Sequence, residues 1–137
     1  FMADISVTAA SVAPVTGSTQ IEYGIAGASV TAGQAVYFDT STSTYKLADA
    51  NASATTATVK GIALHAAAAN QPLAVATGGT INPGFAGTVG QIVVCSATAG
   101  GLAPTSDLAS GWYTSIIGVV TASSVLTLKI FNSGASN

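Results

Sequence analysis

No stretch of this chain supports a convincing helix of about ten residues or more, whereas short β-prone segments recur between glycine and proline turns. That pattern predicts an all-β fold, a compact β-barrel or sandwich of short strands with an extended N-terminal segment. The stretch it is organised around is Val59 to Thr77, V-K-G-I-A-L-H-A-A-A-A-N-Q-P-L-A-V-A-T. It reads as two strands, Val59–His65 and Pro72–Thr77, joined by a small-residue connection. Lys60 and His65 are its only titratable residues.

The other segments follow the same rule. Residues 1–20 are either a first strand, with Ile5 and Val7 alternating with Ser6 and Thr8 until Pro14 and Gly17 break it, or an arm lying on a neighbour. Residues 21–137 form a single β-domain. Gln20–Tyr23 is a short β-segment, and Val36–Leu47 reads as a hairpin turning at Ser41–Thr44. Asp49–Thr56 is a loop or one helical turn. Gly78-Gly79 and Asn82-Pro83-Gly84 mark turns. Gln91–Ser96 is a continuous apolar strand expected to be buried on both faces. Pro104–Ser110 is an excursion with room for a helical turn. Trp112–Thr121 and Ser124–Phe131 make the clearest hairpin, with Leu126, Leu128 and Ile130 on one face and Thr127 and Lys129 on the other.

Charge narrows the function classes. Only 6% of the 137 residues are charged, against a usual share of about 25%. So poorly charged a surface favours association, and part of it is expected to be buried against other chains. There is no arginine, and Lys46, Lys60 and Lys129 are scattered. Neutralising phosphates takes clustered cations, so nucleic-acid binding is not expected. Apolar runs such as Ile62–Ala69 are too short to span a membrane. The opening F-M-A-D-I-S has no basic region followed by an apolar stretch, so the expected place of synthesis is the cytoplasm of the producing cell.

Residues capable of chemistry are isolated along the chain rather than grouped into sites. His65 is the only histidine, and no oriented partner is placed beside it by spacing. Cys95 is the only cysteine and sits in an apolar run, where a thiol behaves as a small hydrophobe. Asp49-Ala50-Asn51-Ala52-Ser53 imitates the start of a calcium loop but has Ala54 and Lys60 where glycine and glutamate are required. Its Asn51-Ala52-Ser53 sequon matters only in a secretory pathway. The acids Asp4, Glu22, Asp39, Asp49 and Asp107 are dispersed, and no phosphate loop or nucleophile elbow is present. No catalytic residue, cofactor or metal ligand is therefore expected. Trp112-Tyr113, at the start of an apolar strand, fits core or subunit interface better than a sugar platform.

Several segments recur in a familiar order. They are Val30-Thr31-Ala32-Gly33-Gln34-Ala35-Val36-Tyr37 with Asp39, Tyr45-Lys46-Leu47-Ala48-Asp49-Ala50, and Gly61-Ile62-Ala63-Leu64. Gln71-Pro72, Val75-Ala76-Thr77, Ser96–Pro104 and Gly118-Val119-Val120 complete the set. In these pieces, which cover most of residues 24–131, the chain resembles the small capsid cement, or head decoration, proteins of tailed bacteriophages. The resemblance implies a compact, non-catalytic β-domain of the virion that binds the outside of the mature head. It also implies the major capsid protein as partner and a homotrimer as the working form.

Under that expectation, Ile5, Val7, Val12, Val15, Trp112 and Tyr113 are the candidate contacts to the capsid or to other subunits. Two other classes make different predictions. A tail, fibre or spike domain binding a host glycan would cluster Trp112, Tyr113 and Tyr45 on an exposed face. A hydrolase would bring His65 together with an acid or Cys95 in one cleft.

Overall fold

A computed structural model describes residues 4–136 and is all-β. Ten strands follow in order: β1 (Val12–Pro14), β2 (Gln20–Ile25), β3 (Ala35–Asp39), β4 (Thr44–Leu47), β5 (Gly61–Ala63), β6 (Pro72–Pro83), β7 (Ile92–Cys95), β8 (Leu102–Pro104), β9 (Tyr113–Ala122) and β10 (Val125–Ser136). Short 3₁₀ turns occupy Ala9–Ser11 and Thr105–Asp107, the second inside the predicted excursion. The strands pair in the order β4-β3-β5-β6-β10-β9-β7-β8, while β1 and β2 both pair with β6. Every strand pairing is antiparallel.

β6 is the strand the others share. Its first half, Pro72–Gly78, pairs with β2 and β5, and its second half, Gly79–Pro83, pairs with β10 and β1. The turn expected at Gly78-Gly79 is therefore corrected: the strand continues through both glycines with a kink. Gly79 takes a left-handed φ of 75°, and the pairing with β2 slips by a residue between Gln20 and Ile21. A Cβ on Gly79 would collide with the carbonyl oxygen of Ser18. Glycine is needed here because the chain kinks under a close backbone neighbour. The turn comes later, at Gly84, where φ is 82°.

Two buried clusters lie on either side of a wall made of β3, β5 and β6. Val36, Ala63 and Val75 face one cluster, with Ala26, Val30, Tyr45, Ala67 and Leu73. Their chain neighbours Ala35, Ile62 and Ala76 face the other, which also holds Ile81, Val93, Cys95, Leu102, Ile117, Val120, Leu126 and Leu128. Successive side chains of a strand point to opposite faces, so a wall with a core on each side admits no polar alternation. That is the physical reason Gly61–Ala63 and Leu73–Ala76 read as unbroken apolar sequence, whereas the alanine-rich connection between them is mostly exposed. The smaller cluster is enclosed where β2 returns to β4. Ala26 bridges Tyr45 in parallel, and the Gly27 N–H donates to the Tyr45 carbonyl at 2.7 Å. The result is barrel-like.

Both predicted hairpins are present, β3–β4 with Val36 opposite Leu47, and β9–β10 turning at Ser123-Ser124. Val93, Val94 and Cys95 in β7 are fully buried, whereas Ile92 is 38% exposed. At the N-terminus the strand lies at Val12–Pro14 rather than at Ile5–Thr8. Pro14 ends it without breaking it, because β1 pairs with β6 alone and a proline on an edge strand forfeits no ladder bond.

Candidate interaction surface

The six candidate contact residues fall into two places. Ile5 and Val7 are partly buried against the larger core. The Ile5 N–H donates to the Leu102 carbonyl at 2.8 Å, and the Thr8 N–H to the Gly84 carbonyl at 2.8 Å. Asp4 accepts a hydrogen bond from the Ser96 hydroxyl at 2.6 Å. Val7 and Val12 fill the spaces left by the absent side chains of Gly33 and Gly84, both of which have left-handed backbones. Residues 4–14 thus lie along their own domain. Val15 is exposed at the turn that follows, where Ser18 and Thr19 donate back to its carbonyl.

Trp112 and Tyr113 lie elsewhere. Trp112 packs partly buried against the larger core, and the Tyr113 N–H donates to the Ala50 carbonyl at 2.7 Å. Tyr45, the third member of the sugar platform considered above, is buried, and its hydroxyl donates to Glu22. Burial, together with that carboxylate, raises the Tyr45 phenol above its ordinary range. These three aromatics form no common exposed face.

The segment over residues 4–9 has a groove of about 220 Å³ beside it, lined by Thr31–Gln34 and Thr98–Leu102. The two stretches are far apart in sequence. The Ala35 N–H donates to the Gly100 carbonyl at 3.0 Å and the Gly100 N–H to the Ala48 carbonyl at 2.7 Å, so the segments around Ala35, Ala48 and Gly100 are laced together.

His65, Cys95, Lys46, Lys60 and their acidic partners are committed to structural roles. The Ala74 N–H donates to His65 Nε2 at 3.0 Å, which makes Nδ1 the protonated nitrogen that donates to the Ala66 carbonyl at 2.9 Å. Both ring nitrogens are used in holding the Leu64–Ala74 connection. Cys95 is fully buried, and burial pushes its thiol up to about 12. Lys46 pairs with Asp39 at 2.8 Å and Lys60 with Glu22 at 3.5 Å. The Lys46 ammonium and the Ser41 groups that donate to Asp39 hold that carboxyl well below the usual carboxylate range. Among the described residues, no three His, Cys, Asp or Glu side chains are grouped to hold a metal ion, and no helix is long and apolar enough to cross a membrane.

The outward side of β7, β9 and β10 carries a signal that has no trace in the sequence alone. Phe131 is 62% exposed and stands opposite Ile116, while Ile92 stands opposite Val119. Only the register of three strands brings these side chains to one face. No protein-family model matches the chain, and no curated protein matches it significantly.

Proposed function

We propose that the chain is a structural virion protein that binds the outer surface of a mature phage head and stabilises the shell without catalysis. Its partner is then the major capsid protein, with copies of itself arranged as a homotrimer. It is made in the host bacterial cytoplasm and resides on the outside of the capsid. The observation that carries this reading is the ordered set of segments resembling the cement proteins. Three of these segments also meet in space, at Ala35, Ala48 and Gly100. Composition supports it from another side: few charges, and much of the outer surface made of Ser, Thr and Ala, suit wide contacts with neighbouring subunits. The mechanism is burial of area repeated around a symmetric shell, where many modest contacts add as avidity.

The test is the heat stability of DNA-filled heads lacking this protein. Saturating them with purified chain should raise the temperature at which they release DNA. An unchanged release temperature at saturation would overturn the reading.

A further inference from the structure

We infer that the outer face of β7, β9 and β10 is the surface that meets the shell, and that it takes an apolar protein surface carrying a carboxylate. This rests on the head-binding reading above and goes beyond it by naming the face and the partner's chemistry.

The face is built by register. Ile92, Val119 and Thr127 lie in one row across the three strands, since Ile92 pairs with Val119 and Val119 with Thr127. Phe131 and Ile116 form the next row, which ends in Val94 of β7, covered by the chain itself; directly paired residues share a face. Their strand neighbours Ile117, Val120, Leu126 and Leu128 point the other way, into the larger core. Besides buried Val94, the outer rows thus carry four large apolar side chains that are at least partly exposed, where a solvated antiparallel sheet ordinarily alternates to polar ones. Phe131 and Ile92 are exposed, and Val89, 67% exposed, stands at the end of the neighbouring loop. A contiguous apolar patch marks a contact site more often than scattered single residues do. Tyr23 and Ile25 also face outward, but their partners on β6 are Ala74 and Pro72, so that patch is narrower.

Charge selects the occupant. Lys129 is exposed between Thr127 and Phe131, on the same side of β10. The other two lysines are paired with Asp39 and Glu22, whereas Lys129 makes no ion pair among the described residues. None of the chain's acids lies on β7, β9, β10 or the loop Ala86–Gly90. A second copy joined face to face about a two-fold axis would therefore bring lysine to a surface with no acid. A different protein surface, apolar with a carboxylate opposite Lys129, satisfies both the patch and the charge.

The experiment compares binding of four variants with wild type on mature, undecorated heads by co-sedimentation. Circular dichroism melts confirm that each variant is folded. Lys129→Glu and Phe131→Ser should each weaken binding by about tenfold or more, and Lys129→Arg should bind like wild type. Tyr23→Ser, on the other patch, should also bind like wild type. Added salt should weaken wild type more than Lys129→Glu, because screening acts on the pair the variant has lost. If wild type binds and both Lys129→Glu and Phe131→Ser bind equally well, the face is wrong while the head-binding reading stands. Loss of binding in Tyr23→Ser alone would move the contact to β2. If wild type itself does not bind, the head-binding reading fails and this assignment with it.

Discussion

The side-chain amide of Asn132 pairs with both backbone groups of Val59, accepting from its N–H at 2.8 Å and donating to its carbonyl at 3.0 Å. It does for Val59 what a neighbouring strand would do, at the point where the chain enters the wall between the two cores. Val59 is buried, so its polar groups have no water to turn to. The Val59 N–H also donates to the Ala57 carbonyl at 3.0 Å, so Asn132→Ala leaves the buried Val59 carbonyl as the unpaired group and should cost about 1 to 2 kcal/mol. Asn132→Asp should be no better, because a carboxylate accepts from the N–H but faces the carbonyl without a donor. Urea unfolding of the three proteins checks this, and unchanged midpoints would show the pair to be incidental.

Gly79 is the second point on which the two halves depend. Gly79→Ala forces a side chain into the left-handed region and against the Ser18 carbonyl at once. Gly111 shares the left-handed backbone, with φ of 91°, but nothing lies within 4 Å of its Cβ position. Gly111→Ala should lose about 1 kcal/mol, the backbone cost alone. Gly79→Ala should lose at least about 3 kcal/mol, since the nearest atom is backbone and cannot rotate away. Equal losses in thermal or urea unfolding would contradict the account of β6 as one continuous strand.

Cys95 makes a prediction for alkaline pH. Its thiol is raised from 9.0 to about 12 in the fold, so the unfolded chain gives up the proton first. Stability from this group is complete below pH 9 and is lost as pH rises towards 12, at up to about 1.4 kcal/mol per pH unit. Tyr45, also raised, acts in the same direction above pH 10. Cys95→Ala should flatten the fall between pH 9 and 10, read as urea midpoints against pH. In the native protein at neutral pH the thiol should resist a labelling reagent until denaturant is added.

Residues 4–14 are held by a small number of contacts, which makes their order measurable. The Ile5 and Thr8 amides donate to Leu102 and Gly84, whereas Ser6 and Val7 make no backbone bond of that kind among the described residues. Hydrogen exchange in the free protein should be slowed at Ile5 and Thr8 relative to Ser6. Uniformly fast exchange across the segment would mean that it is loose until a partner binds.

Much of the fold was legible because it follows from local chemistry. The β3–β4 and β9–β10 hairpins announce themselves through alternation and turn residues, and the two-sided wall announces itself through the lack of alternation in Gly61–Ala63 and Leu73–Ala76. Gly78-Gly79 misled because two glycines signal a turn, while the reason they form a kink is Ser18, whose hydroxyl meets Thr80 62 positions along the chain. The Asn132–Val59 pair, 73 positions apart, has no local signature at all. The same limit hid the outer patch. Phe131 and Ile92 are ordinary strand residues in sequence, and it takes the bulged registers of β7, β9 and β10 to set them together with Lys129.

The most direct test of the central claim is co-sedimentation of the purified wild-type chain with mature, undecorated heads, beside unexpanded heads as control. The account predicts saturable binding to mature heads alone, at a fixed number of copies per shell subunit. Absence of binding to either form would contradict it.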